Sequence, residues 1–352
     1  MFRPSLNNIL AIKTHDLLSI RAIVNLSRSI EESAPTHRNF PLKNLNLLSS
    51  NKFTVKIKLY SSCGQLVYEN IYSTSDFGEL NIKIPTEQLN LNNSISRIQV
   101  YEISYIKDLE MLLGSFLLYN PHSLRKILIT DFDKTLAETS SKNPRDIWGS
   151  LTSPITDYPT IMPTLNLIKE YLKDTYTPFI VSSSPHFYES SIRDWLYQHE
   201  IFNAHILLKD YRQMISFKGD YLKFKDVLAH GFYKLDHLLN IIFMTNIPDH
   251  LILFGDNYDV DHIIYLVFAH IMMNNADPWS IWKNVKDNPY FKLTSKQDSI
   301  FLENLYQISN LLKKHGKLPD IKIYIRKTKK QTDWAALPTC VNLSDFEINY
   351  IN

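Results

Sequence analysis

The chain has 352 residues, 44% of them hydrophobic and 21% charged, which suits a globular protein with a buried core and excludes a disordered or fibrous one. A net charge of +2 provides no overall attraction to nucleic acid, so any basic surface has to be local. No stretch has the length and apolarity of a membrane span, and the first residues lack the uninterrupted apolar core of a secretion signal.

The length predicts two domains, or one with a large insertion. Cys63 and Cys340 are far apart and match no metal-ligand spacing, so reduced thiols and a cytoplasmic location are expected. Residues 1–50 carry Leu and Ile without a clear period and then a polar stretch around Pro35 and Pro41; one N-terminal helix and a connector are expected. From Phe53, the residues Val55, Ile57 and Leu59 alternate with Lys56, Lys58 and Tyr60, the period-two signature of a half-buried strand. Strands over 66–72, 80–84, 97–106 and 111–119 complete a set of five, so residues 51–120 read as a small β-sandwich-like domain. Asn120 to Ser123 is the expected boundary.

Beyond it strands alternate with helices, the mark of an α/β fold with a parallel sheet. A strand at Ile127 to Thr130 is followed by a polar loop, Ser140 to Tyr158, and a helix with Leu165, Ile168 and Leu172 on one face. The next strand, Pro178 to Val181, runs into Ser182-Ser183-Ser184-Pro185, and a helix over 187–198 follows. A short strand at 206–208, a helix at 235–243 and a strand at 251–254 lead to a long helical stretch, 262–318, whose apolar run Ile263 to Met273 reads as a buried helix. A strand over 321–325 and a C-terminal tail, 336–352, end the chain.

Three strand ends carry the chemistry. Asp131 and Asp133 leave the first strand together, with Thr135 two residues on. At the carboxyl edge of a parallel sheet such a pair can bind a divalent cation while one member stays free to attack. Alone, the same D-x-D-x-T run is also an ordinary polar turn with capping side chains. Ser182, directly after a buried strand, is a candidate phosphate contact. Ser184 reads either as a second one or as a helix N-cap with Pro185 at the first helical position. The third strand end carries Gly255-Asp256-Asn257-Tyr258-Asp259-Val260-Asp261, from which Asp256 can supply a Mg²⁺ ligand. A cation is also needed beside the transferred phosphoryl group. Lys234 has the right order in the chain, with Lys218, Lys223 and Lys225 as competitors.

Five blocks in one order, D-F-D-K-T-L-A-E-T, P-F-I-V-S-S-S-P-H, L-L-K-D, G-D-N-Y-D-V-D-H-I-I-Y and I-K-I-Y-I-R, resemble the catalytic domain of the actin-patch-protein type of phosphatidate phosphatases, within the haloacid dehalogenase-like superfamily. The resemblance covers about residues 126–330. It implies a haloacid dehalogenase-like Rossmannoid sheet over 121–335 with a helical insertion near 268–318. It also implies Asp131 as nucleophile, Asp133 as general acid/base, Ser182 as phosphate ligand and Lys234 as phosphoryl-stabilising cation. Thr135, Ser184 and His186 would face the substrate, and Asp131, Asp133, Asp256 and Asp261 would surround Mg²⁺. Lys134 replaces an acidic residue of the family pattern, His186 a Trp, and Asn257-Tyr258 a Ser-Gly pair.

The implied reaction is Mg²⁺-dependent hydrolysis of a phosphomonoester, phosphatidate by resemblance, through an aspartyl-phosphate. The alternatives are a phosphatase of a soluble metabolite or phosphoprotein, or a catalytically silent adaptor that binds phosphorylated ligands. The cluster Lys322, Arg326, Lys327, Lys329 and Lys330 offers peripheral contact with an anionic membrane, or is a solvated strand end. No basic stripe with interleaved aromatics points to nucleic acid. Oligomeric state is not encoded in any motif.

Overall fold

The computed structural model describes residues 2–14, 16–28, 51–89, 95–118, 125–139, 154–209, 231–258, 260–273, 276–291, 293, 295–328, 332 and 334–352. The expected connector around Pro35 and Pro41, the boundary at Asn120 to Ser123, most of the loop 140–158, Lys218, Lys223, Lys225, Lys329 and Lys330 lie outside them.

Residues 1–28 correct the first expectation. Instead of a helix they form two long antiparallel strands, β1 (Phe2–Lys13) and β2 (Leu17–Arg28). Leu18, Ile20, Ala22 and Val24 of β2 point into one core, while Ser19, Ile23 and Asn25 on the opposite face are also buried. A strand covered on both faces loses its polar alternation, which is why no period was legible.

β2 pairs with β5 (Glu79–Pro85) to give the three-stranded sheet β1-β2-β5. Four further strands, β3 (Thr54–Ser61), β4 (Leu66–Ser73), β6 (Ile95–Glu102) and β7 (Met111–Leu117), form a second antiparallel sheet in the order β4-β3-β6-β7. Val55, Ile57 and Leu59 of β3 and Ile98 and Val100 of β6 share one apolar core with Leu18, Ile20, Leu80 and Ile82 of the other sheet. The β-rich region is therefore two sheets on one core, and it starts at residue 2 instead of residue 51.

The rest is a mixed α/β unit around a parallel sheet of β8 (Lys126–Thr130), β9 (Thr177–Pro185), β10 (His205–Lys209), β11 (His250–Asp256), β12 (Asp320–Arg326) and β13 (Ile348–Ile351). Its order is β10-β9-β8-β11-β12-β13, with every neighbouring pair parallel. Alternate residues of β8 face opposite layers. Ile127 and Ile129 pack with α3 (Gly231–Thr245), α4 (Asp261–Met273), α5 (Pro278–Lys286) and α6 (Ser295–His315). Leu128 packs with α1 (Met162–Lys173) and α2 (Glu189–Gln198). The run Ile263 to Met273 is the buried helix its apolarity implies, since α4 is buried from Asp261 through Met272.

The chain builds from β8 outward to β10 on one side and then returns to build from β11 outward on the other. The direction reverses between β8 and β11, and in open α/β sheets ligands bind outside the carboxyl ends of strands at such a point. Residues 336–352 are a second correction. They do not form a tail: Ala336, Leu337 and Val341 pack on the core, and β13 pairs with β12. A four-residue strand, Ile-Asn-Tyr-Ile, is too short to show a period. No described helix is long and apolar enough to cross a membrane.

Candidate active site

Asp131 follows the last residue of β8, and its backbone N–H donates to the Phe254 carbonyl of β11 at 2.9 Å. The residue is only 1% exposed, and among the described residues neither carboxylate oxygen accepts a hydrogen bond. The Lys234 ammonium, from the first turn of α3, lies 3.1 Å from Oδ1. The same ammonium lies 2.5 Å from Oδ1 of Asp261, the first residue of α4, and all three side chains are at most 3% exposed. The fold thus brings Lys234 beside both Asp131 and Asp261.

Asp256 ends β11 and is fully buried. The Tyr258 N–H donates to its Oδ1 at 2.5 Å, and the Thr135 hydroxyl lies 3.4 Å from its Oδ2. Carboxylate oxygens of Asp131, Asp256 and Asp261 lie within 4.8 Å of one another. Gly255 makes this approach possible: a Cβ there would meet the Asp261 Cβ and the Tyr265 ring at 2.7 Å each. Tyr265 in turn anchors α4 to the sheet by donating to the Phe254 carbonyl at 2.8 Å.

Three buried carboxylates thus gather around one described ammonium. Burial pushes the Asp131 carboxyl well above its ordinary pKa; Lys234 opposes this, and Asp261, Asp133 and Asp256 add to it. The unpartnered oxygens of Asp131 and Oδ2 of Asp261 have the charge and chemistry that a hard divalent cation requires. The residues present fit such an ion.

Asp133 has a different environment. It is half-buried, its Oδ2 accepts from Ser182 at 2.8 Å and Ser184 at 2.7 Å, and its Oδ1 accepts from Thr139 at 2.8 Å. Its carboxylate stands outside the cluster formed by Asp131, Asp256 and Asp261. Ser182 is buried on β9, and its hydroxyl also accepts from the Ser184 N–H at 3.0 Å. Ser184 does not cap a helix: β9 runs on through Pro185, and a 3₁₀ turn, His186–Tyr188, intervenes before α2. His186 is buried in that turn with its ring edge-on to Phe187. Thr135 is likewise buried, with its hydroxyl directed at Asp256 and not at an open surface.

Two residues carry contacts that no spacing rule singles out. Thr139 lies inside the D-F-D-K-T-L-A-E-T block, yet nothing in that block says that its hydroxyl returns to Asp133. Arg326 looks like one of five surface cations, but it donates to the Lys134 carbonyl and to Glu138 Oε2, each at 2.6 Å, and so is taken up by the site. Lys134 has a left-handed backbone, φ 57°, and its ammonium lies 3.5 Å from the centre of the Tyr258 ring.

No family model and no curated protein matches the chain. Among solved structures, two chains from the Pnkp1/Rnl/Hen1 RNA repair complex are similar at 18% and 17% identity, over 40% and 50% of this chain, with TM-scores of 0.28 and 0.27. A Lactobacillus rhamnosus β-glucuronidase is similar at 10% identity over 96% of this chain, with a TM-score of 0.26. This chain spans 38%, 54% and 57% of the lengths of those three. Likeness at this level carries no inference about architecture or activity.

Proposed function

We propose that the protein is a Mg²⁺-dependent phosphatase of the haloacid dehalogenase-like type, acting on a phosphomonoester through an aspartyl-phosphate. The observation that carries this reading is the Asp131 carboxylate: it directly follows a central parallel strand, accepts no hydrogen bond among the described residues, and lies against a buried ammonium beside two further carboxylates. A structural aspartate buried in this way would be costly to keep without donors. A nucleophile needs its lone pairs free. The order of the five sequence blocks supports the same reading.

Asp131, Asp256 and Asp261 would hold Mg²⁺, which when bound supplies charge neutralisation between an anionic nucleophile and an anionic phosphate. In the first step Asp131 Oδ attacks phosphorus in line, the bond to the ester oxygen breaks, and Asp133 gives its proton to the leaving oxygen. Lys234 balances charge on the nucleophile and the equatorial oxygens. In the second step Asp133 takes a proton from water, the water oxygen attacks phosphorus, and Asp131 leaves with inorganic phosphate as product. Ser182, on β9, contributes a hydroxyl to the phosphate.

The proposed substrate is phosphatidate, releasing diacylglycerol, with cytoplasmic location and peripheral contact with anionic membrane. Lys327 over the exposed ring of Tyr350, 4.3 Å from its centre, supports a lipid-facing rim. A soluble phosphomonoester is the second reading, because Arg326 is turned inward and the described part of the basic cluster is correspondingly smaller. The test is Mg²⁺-dependent phosphate release by wild type and Asp131→Asn on phosphatidate in mixed micelles and on a soluble aryl phosphate. Release from phosphatidate that the substitution abolishes is the expected result. Release from the aryl ester alone would replace the lipid with a soluble substrate, and release from neither, with Mg²⁺ still bound, would leave the adaptor reading.

A further inference from the structure

Asp133 is held at both oxygens, and the two sides are held by different parts of the fold. Ser182 and Ser184, from β9, both donate to Oδ2. On their own they would leave the carboxylate able to pivot about that oxygen. Thr139 supplies the second point by donating to Oδ1 at 2.8 Å.

The local backbone brings Thr139 back six residues after Asp133. The N–H groups of Leu136 and Ala137 donate to the Phe132 carbonyl at 2.9 and 3.2 Å, closing a tight turn. Ala137 then bridges Thr160 in antiparallel fashion, and Glu138 N–H donates to the Pro159 carbonyl at 2.8 Å. The result is a short strap, residues 137–139, running back across the mouth of the turn.

Arg326 fastens the strap from the end of β12. One guanidinium nitrogen donates to the Lys134 carbonyl at the base of the turn and the other to Glu138, the neighbour of Thr139. The planar fork presents two nitrogens at a fixed spacing, one to each acceptor, which the single nitrogen of an ammonium does not reproduce. The Arg326 carbonyl also accepts from Asn257 N–H at 3.2 Å, so the same residue is tied to the loop after Asp256.

From this geometry we infer that Thr139 is a positioning residue for the general acid: it fixes the plane of the Asp133 carboxylate, and the Arg326–Glu138 pair keeps it there. The inference rests on the phosphatase reading and deepens it. Its consequence depends on the leaving group. An alkoxide leaving group needs the proton from Asp133 as the ester bond breaks, whereas 4-nitrophenolate leaves without it.

The experiment compares wild type, Thr139→Val, Thr139→Ser and Arg326→Lys, each checked for an unchanged melting curve, on an alkyl phosphate and on 4-nitrophenyl phosphate with Mg²⁺. Thr139→Val is expected to lose about ten- to hundredfold in kcat/KM on the alkyl ester, the scale of one charge-assisted hydrogen bond, and little in kcat/KM on the aryl ester, because kcat/KM ends with departure of the leaving group and omits the hydrolysis of the aspartyl-phosphate that both esters share. Thr139→Ser, which keeps the hydroxyl, should restore the alkyl activity, and Arg326→Lys should show a smaller loss of the same selectivity. Equal losses on both esters, or none on either, would overturn the positioning role and leave the phosphatase reading intact. A wild type inactive on both esters would overturn that reading and the positioning role with it.

Discussion

Asp131 and Asp133 are two residues apart, and their surroundings divide their work. Asp131 is 1% exposed and, among the described residues, accepts no hydrogen bond at either oxygen and lies against the Lys234 ammonium, while Asp133 is half-buried and accepts from three hydroxyls. The first arrangement keeps lone pairs available to attack; the second holds a carboxyl where it can reach a leaving oxygen or a water. A consequence for pH follows from the buried member. Because burial raises the Asp131 carboxyl above its unfolded value, its contribution favours the fold at low pH and is lost as pH rises through the folded value. Mg²⁺ competes with that proton, so the rise in melting temperature on adding Mg²⁺ should be larger at about pH 8 than at about pH 5. Asp256→Asn should remove most of the Mg²⁺ shift without lowering the metal-free melting temperature, since it deletes a negative charge from an acidic cluster. A Mg²⁺ shift of equal size in the variant would sink the assignment of the three carboxylates.

At the scale of elements, the site depends on how closely α4 can approach the end of β11. Gly255 is the residue that sets this distance, because a Cβ there would overlap the Asp261 Cβ and the Tyr265 ring. Gly255→Ala should therefore push Asp261 away from Lys234 and Asp131, at a cost of about 1–3 kcal/mol for an overpacked contact. Phosphate release should fall by more than the stability loss explains, measured by urea unfolding beside steady-state kinetics. Retention of full activity would mean that the helix shifts without cost to the acidic cluster. The carboxyl end of β12 has a comparable role: its Arg326 joins the turn after Asp131 to the loop after Asp256, two segments more than a hundred residues apart in sequence.

At the scale of the molecule, β1 joins two cores. Ile12, fully buried, and Leu10 pack into the layer formed by α3 to α6, while the same strand pairs with β2, whose Leu18 and Ile20 belong to the core of the β-rich region. The β-rich region is thus continuous with the α/β unit through apolar contact as well as through the chain. Ile12→Ala should cost about 2–5 kcal/mol, as for other buried aliphatic truncations, and should lower the stability of both regions in one unfolding transition. Two separate transitions, with only one moved by the substitution, would show that the strand belongs to a single region.

Local pattern alone was enough for the alternation in β3 and β5, the strand ends at Asp131 and Asp256, and the buried character of α4, because period and flanking residues are properties of short segments. It singled out Asp131, Ser182 and Asp256, and the family resemblance added Asp261 and preferred Lys234 over three other lysines; the fold brings these five to one end of the sheet. It failed where neighbours in space override local pattern. β1 and β2 are covered on both faces and show no polar period, β13 is too short to show one, and Ser184 donates to Asp133 where its sequence context suits an N-cap. Thr139 and Arg326 were out of reach for a further reason: their partners are set by a returning strap and by a distant strand, and a hydrogen bond across such a gap is decided by tertiary geometry alone.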